Sequence, residues 1–266
     1  MKKKSKAFYV LWLFVMIFVM YMPIGVLAFY SFTDATQIGQ TASFSVQNYI
    51  SLVTNPELRG MIINTFVLAF FVAALSTILG TAAAIGVHFG KARKVETFIS
   101  LGNQVPVVNS DVVTGFSICI LLMVFLHMDK STYLPLVIGH MTLCTPFVYL
   151  SVRPALKMFD MAHYEAAIDL GATPFYAMVF VVIKELLPAI GTGFVTAVTL
   201  SLDDYFVTTY TKPAVFDTVS TYVVNATKGA MTQIKTALWA LSTVIAVIVL
   251  VAVLLNSHRL RKGETS

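Results

Sequence analysis

Six long apolar runs, separated by polar segments, set the pattern of the chain. The first covers residues 7–30, behind a basic head of Lys2-Lys3-Lys4 and Lys6. A polar stretch follows over 31–58, and a second run spans 61–88 with the small residues Gly80, Thr81, Ala82 to Ala84 and Gly86. Lys91, Arg93 and Lys94 form a short basic link. The third run, 98–126, is interrupted by Pro106 and by Asn109-Ser110-Asp111. Proline frees a backbone carbonyl, and Asn, Ser and Asp offer caps to a restarted helix. A turn over 127–132 leads to the fourth run, 133–152. The fifth, 186–210, holds Asp203-Asp204, and the sixth covers 235–256 ahead of Arg259, Arg261 and Lys262. About twenty apolar residues suffice to cross a bilayer as a helix. The pattern therefore predicts an all-α polytopic membrane protein, one domain over 1–266 with six transmembrane helices.

Between the fourth and fifth runs lies a different kind of helix, predicted over 161–171. Asp160 is placed to accept a bond from an orphan N–H of its first turn. Phe159 and Tyr164 occupy the two positions of a hydrophobic staple. Tyr164, Ala167, Ile168 and Gly171 share one face, and Glu165 and Asp169 share another. Gly171 is the natural stop, because glycine enters the left-handed region without steric cost. A helix of about ten residues is roughly 15 Å long, too short to span the membrane. Small residues on one face and carboxylates on another suit docking into a groove of another protein.

Composition supports this picture. The 266 residues are 58% hydrophobic and 12% charged, with a mean hydropathy of +0.82. Soluble domains carry about twice that charged fraction. The net charge of +5 does not point to nucleic acid, because the basic residues sit between and beyond the apolar runs. They are topology signals. On the side of the termini lie thirteen of the eighteen Lys and Arg, against five on the other. The positive-inside rule then makes both termini, and the 161–171 helix, cytosolic. The first run is too long for a signal-peptide core and is read as a retained anchor. Cys119 and Cys144 lie in apolar runs and suggest no disulfide framework, and the five histidines show no metal-ligand spacing and are read as interfacial. No phosphate-binding G-x-x-x-x-G-K-[ST] word is present, so a chain of this kind needs a partner to supply energy from ATP.

Three acids interrupt the apolar runs. A carboxylate at a helix centre costs about 2.5 kcal/mol or more on insertion scales, so each is a functional hypothesis. Asp111 sits about 20 Å along the third run and Asp203 about 22 Å along the fifth, both counted from the cytosolic start. Asp111, Asp203 and Asp204 are thus expected around one cavity in the outer half. No Lys or Arg lies in either run to neutralise them. Tyr205, Phe206 and Tyr210 follow, and aromatic faces attract ammonium groups. A cation fits this set and an anion does not. The plainer roles are a helix cap for Asp111 and, for the Asp203-Asp204 pair, a cation on a partner. One of two neighbouring acids normally points away from a shared cavity.

Glu165-Ala166-Ala167 followed by Gly171 resembles the EAA loop of binding-protein-dependent ABC importer permeases. Asn109-Ser110-Asp111, Leu143 to Val148, Glu165 to Ala172 and Leu200-Ser201-Leu202-Asp203-Asp204 together resemble the C-type permeases of spermidine/putrescine importers. Two departures stand out: Lys184 occupies the position of a proline usual in the loop, and no proline separates Ser110 from Asp111. The resemblance implies the type I importer permease fold and a bacterial inner-membrane location. It assigns a polyamine path to Asp111, Asp203, Asp204 and Tyr205. It assigns coupling to the ATPase to Glu165, Ala166, Ala167, Asp169 and Gly171. It further implies a homologous second permease, a cytosolic ATPase dimer that holds ATP and magnesium, and an extracellular or periplasmic binding protein. The chain itself is expected to carry no cofactor, metal site or catalytic residue. Cargo of another kind, such as ferric iron, thiamine or an amino-acid-like compound, is the alternative within the same architecture. A secondary transporter would show an internal repeat, and none is evident. An intramembrane enzyme would need a nucleophile–base pair.

Overall fold

A backbone in hydrocarbon must satisfy its own polar groups, which leaves helices as the spanning structure for runs of this length. The computed structural model describes residues 2–35, 43–90, 93–228 and 237–247, and every regular element among them is a helix. These are α1 (Lys2–Ser31), α2 (Gln47–Thr54), α3 (Pro56–Phe89), α4 (Arg93–Val108), α5 (Asp111–Ile120), α6 (Leu134–Met158), α7 (Met161–Asp169), α8 (Pro174–Ala177), α9 (Ile183–Asp203), α10 (Phe206–Thr211) and α11 (Val219–Lys228). A last helix, α12, covers Ala237–Val247. A π-helical turn, Leu121–Phe125, prolongs α5, and another, Met178–Val182, joins α8 to α9. One isolated bridge pairs Thr33 with Phe44.

Among the described residues, four helices are long and apolar enough to cross a bilayer: Tyr9–Ser31, Pro56–Phe89, Leu134–Met158 and Pro174–Asp203. Glu96–Val108 and Asp111–Phe125, bent by 119° across Asn109-Ser110 with Pro106 still inside the first of the two helices, count as a fifth if taken together. Of the expected sixth span only α12 is described, and 235–236 and 248–256 lie outside the described residues. So do Lys91, Lys235, Arg259, Arg261 and Lys262. The fifth span departs from expectation at both ends. Its helix begins at Pro174 and stops at Asp203, and residues 206–211 form the separate short α10.

The described residues fall into two compact units, one drawn from Met1–Gly60 and Val223–Ser266, the other Met61–Tyr222. In the first, Asn48 anchors α2 beneath the end of α1. Its Nδ2 donates to the carbonyls of Ser31 (3.1 Å) and Thr33 (3.0 Å). The Tyr49 and Ser31 hydroxyls lie 2.8 Å apart. Orphan carbonyls at a helix end thus find side-chain donors.

The second unit is built around α6. Cys144, Val148, Tyr149, Val152 and Leu156 of α6 are buried with Leu68, Val72 and Ala73 of α3 and Leu186 and Ala197 of α9. A smaller cluster joins Ile118, Leu122 and Leu143 to Val207 of α10. Large apolar side chains such as Val67, Phe71 and Val195 stay exposed, as hydrocarbon solvent requires. At one end, Arg153 ties α6 to α4: its Nη2 donates to Glu96 Oε1 (2.9 Å) and its Nη1 to Ser100 Oγ (2.8 Å).

Candidate functional site

The second unit carries two candidate sites, one at the helix breaks and one on α7. At the breaks, α5 restarts at Ser110, which has the extended backbone of an N-cap (φ −68°, ψ 147°). Contrary to expectation, its hydroxyl makes no capping bond; the backbone alone does so, with Thr114 N–H donating to the Ser110 carbonyl (3.0 Å). Asp111 takes the first helical position, where its negative charge favours the orphan N–H groups of the turn. Its side chain is exposed. The three acids meet there: Asp111, Asp203 and Asp204 line one cavity of about 190 Å³ with Pro106, Asn109, Leu143, Phe147 and Thr199. Among the described residues, no Lys or Arg lines it. Tyr205 stands outside that lining, half-buried, its ring edge-on to Phe206 at 5.1 Å.

Asp203 and Asp204 part ways at the break. Asp203 is exposed at the last position of α9, whereas Asp204 is buried, with an extended backbone (φ −67°, ψ 124°). The Asp204 carboxylate acts as the cap of α10. Its Oδ1 accepts from Val207 N–H (3.3 Å) and its Oδ2 from Thr208 N–H (2.7 Å) and the Thr208 hydroxyl (2.8 Å). Facing the same oxygen is His140 of α6, fully buried, with Nε2 3.5 Å from Oδ2 and 3.2 Å from Thr208 Oγ1. Its Nδ1 donates to the Leu136 carbonyl (2.9 Å), since a carbonyl only accepts. His140 is therefore not interfacial, as the sequence suggests for all five histidines, but the buried partner of an intramembrane acid. An ionisable residue within an apolar run is itself the signal that points to it. α10 packs close enough to α5 that a Cβ on Gly115 would lie 3.1 Å from the Phe206 carbonyl carbon and from Val207 N.

α7 follows the local code at both of its caps. Asp160 caps it, with Ala162 N–H donating to Oδ1 (2.9 Å). Phe159 is buried in the main core, where Tyr164 also packs, its ring 5.3 Å from that of Phe89. The helix ends at Asp169, two residues before Gly171, and closes in a paired C-terminal turn. Gly171 N–H donates to Ile168 O (2.9 Å), and Ala172 N–H to Ala167 O (3.0 Å). This is the Schellman arrangement, and it needs a left-handed residue, supplied by Gly171 at φ +90°. Glu165, Ala166, Asp169 and Gly171 are exposed, and Ala167 is half-buried. Beside them Leu170 is 90% exposed, and a groove of about 560 Å³ runs along Ala167, Leu170 to Thr173 and Tyr176. Where a proline is missing at Lys184, the chain instead enters α9 through the π turn Met178–Val182, leaving Lys184 exposed.

No protein-family model matches the chain. It is 31% identical to the putrescine transport system permease protein PotI of Escherichia coli (strain K12), over 72% of this chain and 69% of that one. It is 27% identical to the spermidine/putrescine transport system permease protein PotC of the same organism, over 92% of each. Among solved structures, a bacterial ABC transporter that imports the acidic polysaccharide alginate superposes with a TM-score of 0.70 at 16% identity, covering 97% of this chain and 96% of that one. At that identity the likeness concerns the fold, which is that of an ABC transporter chain.

Proposed function

The chain belongs to the family of the putrescine and spermidine/putrescine transport-system permeases, and we propose that it forms half of the translocation path of an ATP-driven polyamine importer. The observation that carries the cargo class is the shared cavity of Asp111, Asp203 and Asp204, which no Lys or Arg among the described residues lines. A chain of separated ammonium groups answers separated carboxylates, and an anion would be repelled there. In this reading Tyr205, next in the chain after Asp204, supplies an aromatic face to the passing cation.

In this reading the chain sits in the bacterial inner membrane with both termini cytosolic, as the distribution of Lys and Arg supports. α7 then faces the cytosol as the coupling helix. Glu165, Ala166, Ala167, Asp169 and Gly171 would engage a cleft of a separate ATPase, which holds ATP and magnesium. A homologous permease supplies the other half of the path, and a periplasmic binding protein delivers the cargo. ATP-driven closure of the ATPase dimer carries the coupling helices together and opens the cavity outward. Hydrolysis returns it to the inward-facing state. The acids bind loosely enough for the cation to leave.

The test is uptake of labelled spermidine and putrescine into vesicles that hold this chain with its partner subunits. Iron, thiamine and amino acids serve as competitors. Uptake that requires ATP and yields only to polyamines is expected. Block by another solute would discard the cargo, and uptake without ATP would overturn the coupling reading.

A further inference from the structure

The acids at the cavity do not present the same chemistry. Asp111 and Asp203 are exposed, whereas Asp204 is 8% exposed and its carboxylate is already engaged by two backbone N–H groups and the Thr208 hydroxyl. His140 closes the remaining side of Oδ2 from α6, and it is held in place through Nδ1 by the Leu136 carbonyl. The Thr208 hydroxyl bridges imidazole and carboxylate, so it can donate to either as the other's proton requires. A buried carboxylate so fully partnered has little to offer a passing ammonium group, and withdrawing it would leave buried donors unsatisfied.

We infer that His140 and Thr208 fix Asp204 as the structural cap of the α9–α10 break, and that Asp111 and Asp203 are the acids that meet the cargo. Asp203 lines the cavity at the last position of α9, and the extended Asp204 separates that helix from α10. His140 is then a positioning residue, which acts on the cargo path only through Asp204. This division of roles rests on the cation-importer reading above.

Shape and charge separate the two roles. Asparagine at 204 keeps an oxygen that accepts from Val207 and Thr208 N–H but removes the charge; alanine removes both. In the reconstituted importer with its partner subunits, Asp203→Asn and Asp111→Asn are expected to lower uptake at least about tenfold, the loss of one charge-assisted contact. Asp204→Asn should cost far less. Hydrogen exchange over 204–211 in the same complex reads the cap directly. Asp204→Ala and His140→Ala should speed it about fivefold or more, the typical effect of losing a cap. Asp204→Asn and His140→Gln should restore most of the protection. Uptake lost as severely in Asp204→Asn as in Asp203→Asn, with slow exchange retained, would make Asp204 a cargo contact and overturn the inference. So would unchanged exchange in His140→Ala. If the wild-type importer carries another solute, the polyamine reading fails. The exchange series still tests the cap, and the uptake series is then scored on that solute.

Discussion

Gly171 allows backbone conformation and contact to be separated in a single residue. Its φ is +90°, and a Cβ built on it would meet nothing within 4 Å. Substitution in this chain is therefore limited by conformation, not space. An L side chain in the left-handed region costs about 1–2 kcal/mol. That is roughly a 5- to 30-fold fall in the population of the closed turn. The turn holds the bonds from Gly171 to Ile168 and from Ala172 to Ala167, and so sets the exit of α7 and the groove beside Leu170. The assay is uptake per ATP hydrolysed in the reconstituted importer, for Gly171→Ala and Gly171→Asn. Asparagine enters the left-handed region more readily than alanine, yet it is larger. Backbone strain predicts that alanine uncouples more, by about fivefold or greater on the same scale. A clash with a docked ATPase predicts that asparagine uncouples more. Equal coupling in all three proteins, or the second order, would refute the conformational argument.

Three further outcomes follow from the same structure. Gly115→Leu forces a side chain against the backbone of Phe206 and Val207; it should destabilise the complex by about 1–3 kcal/mol, read as a lower melting temperature. An unchanged melting point would mean that α10 does not rest there. Arg153→Lys retains the charge but not the fork that reaches both Glu96 and Ser100, so exchange at the start of α4 should quicken by about the equivalent of 1 kcal/mol. Unaltered protection would show that the fork is dispensable. In the exposed turn after α5, the Ser131 hydroxyl, and then its backbone N–H, hold the Asp129 carboxyl below its ordinary 3.8. The carboxylate's contribution to that turn is thus present above 3.8 and lost as the pH falls through the lowered value. Ser131→Ala removes the larger cause and should return the titration, followed by carboxyl NMR, toward 3.8; no movement would contradict it.

How much could be read in advance depends on where the causes lie. α7 was legible to its caps because they are local: Asp160 bonds two residues ahead, and the Gly171 turn bonds three to five residues back. The break before α5 was legible because Pro106 and the polar run after it disrupt a helix on their own account. The break at Asp204 rests on a cap alone, with no residue beside it that disrupts a helix on its own account. Leu200 to Tyr210 contains no proline and no glycine, and on pattern alone the helix continues. What ends it is a carboxylate satisfied within the next turn by Val207 and Thr208, with His140, 64 positions earlier in the chain and on another helix, set against it and against the Thr208 hydroxyl. The π turn Met178–Val182 is hidden for a similar reason, since an extra residue in a helical turn leaves the apolar pattern nearly intact. The same logic explains why Asp203 and Asp204 looked equivalent. A string of residues supplies two charges of one kind at the edge of one cavity, and only the packing of α10 against α5 and α6 buries one of them and leaves the other exposed. The sequence can therefore nominate acids for a path through the membrane, but which of them is free to bind a cation is decided by partners that another helix brings.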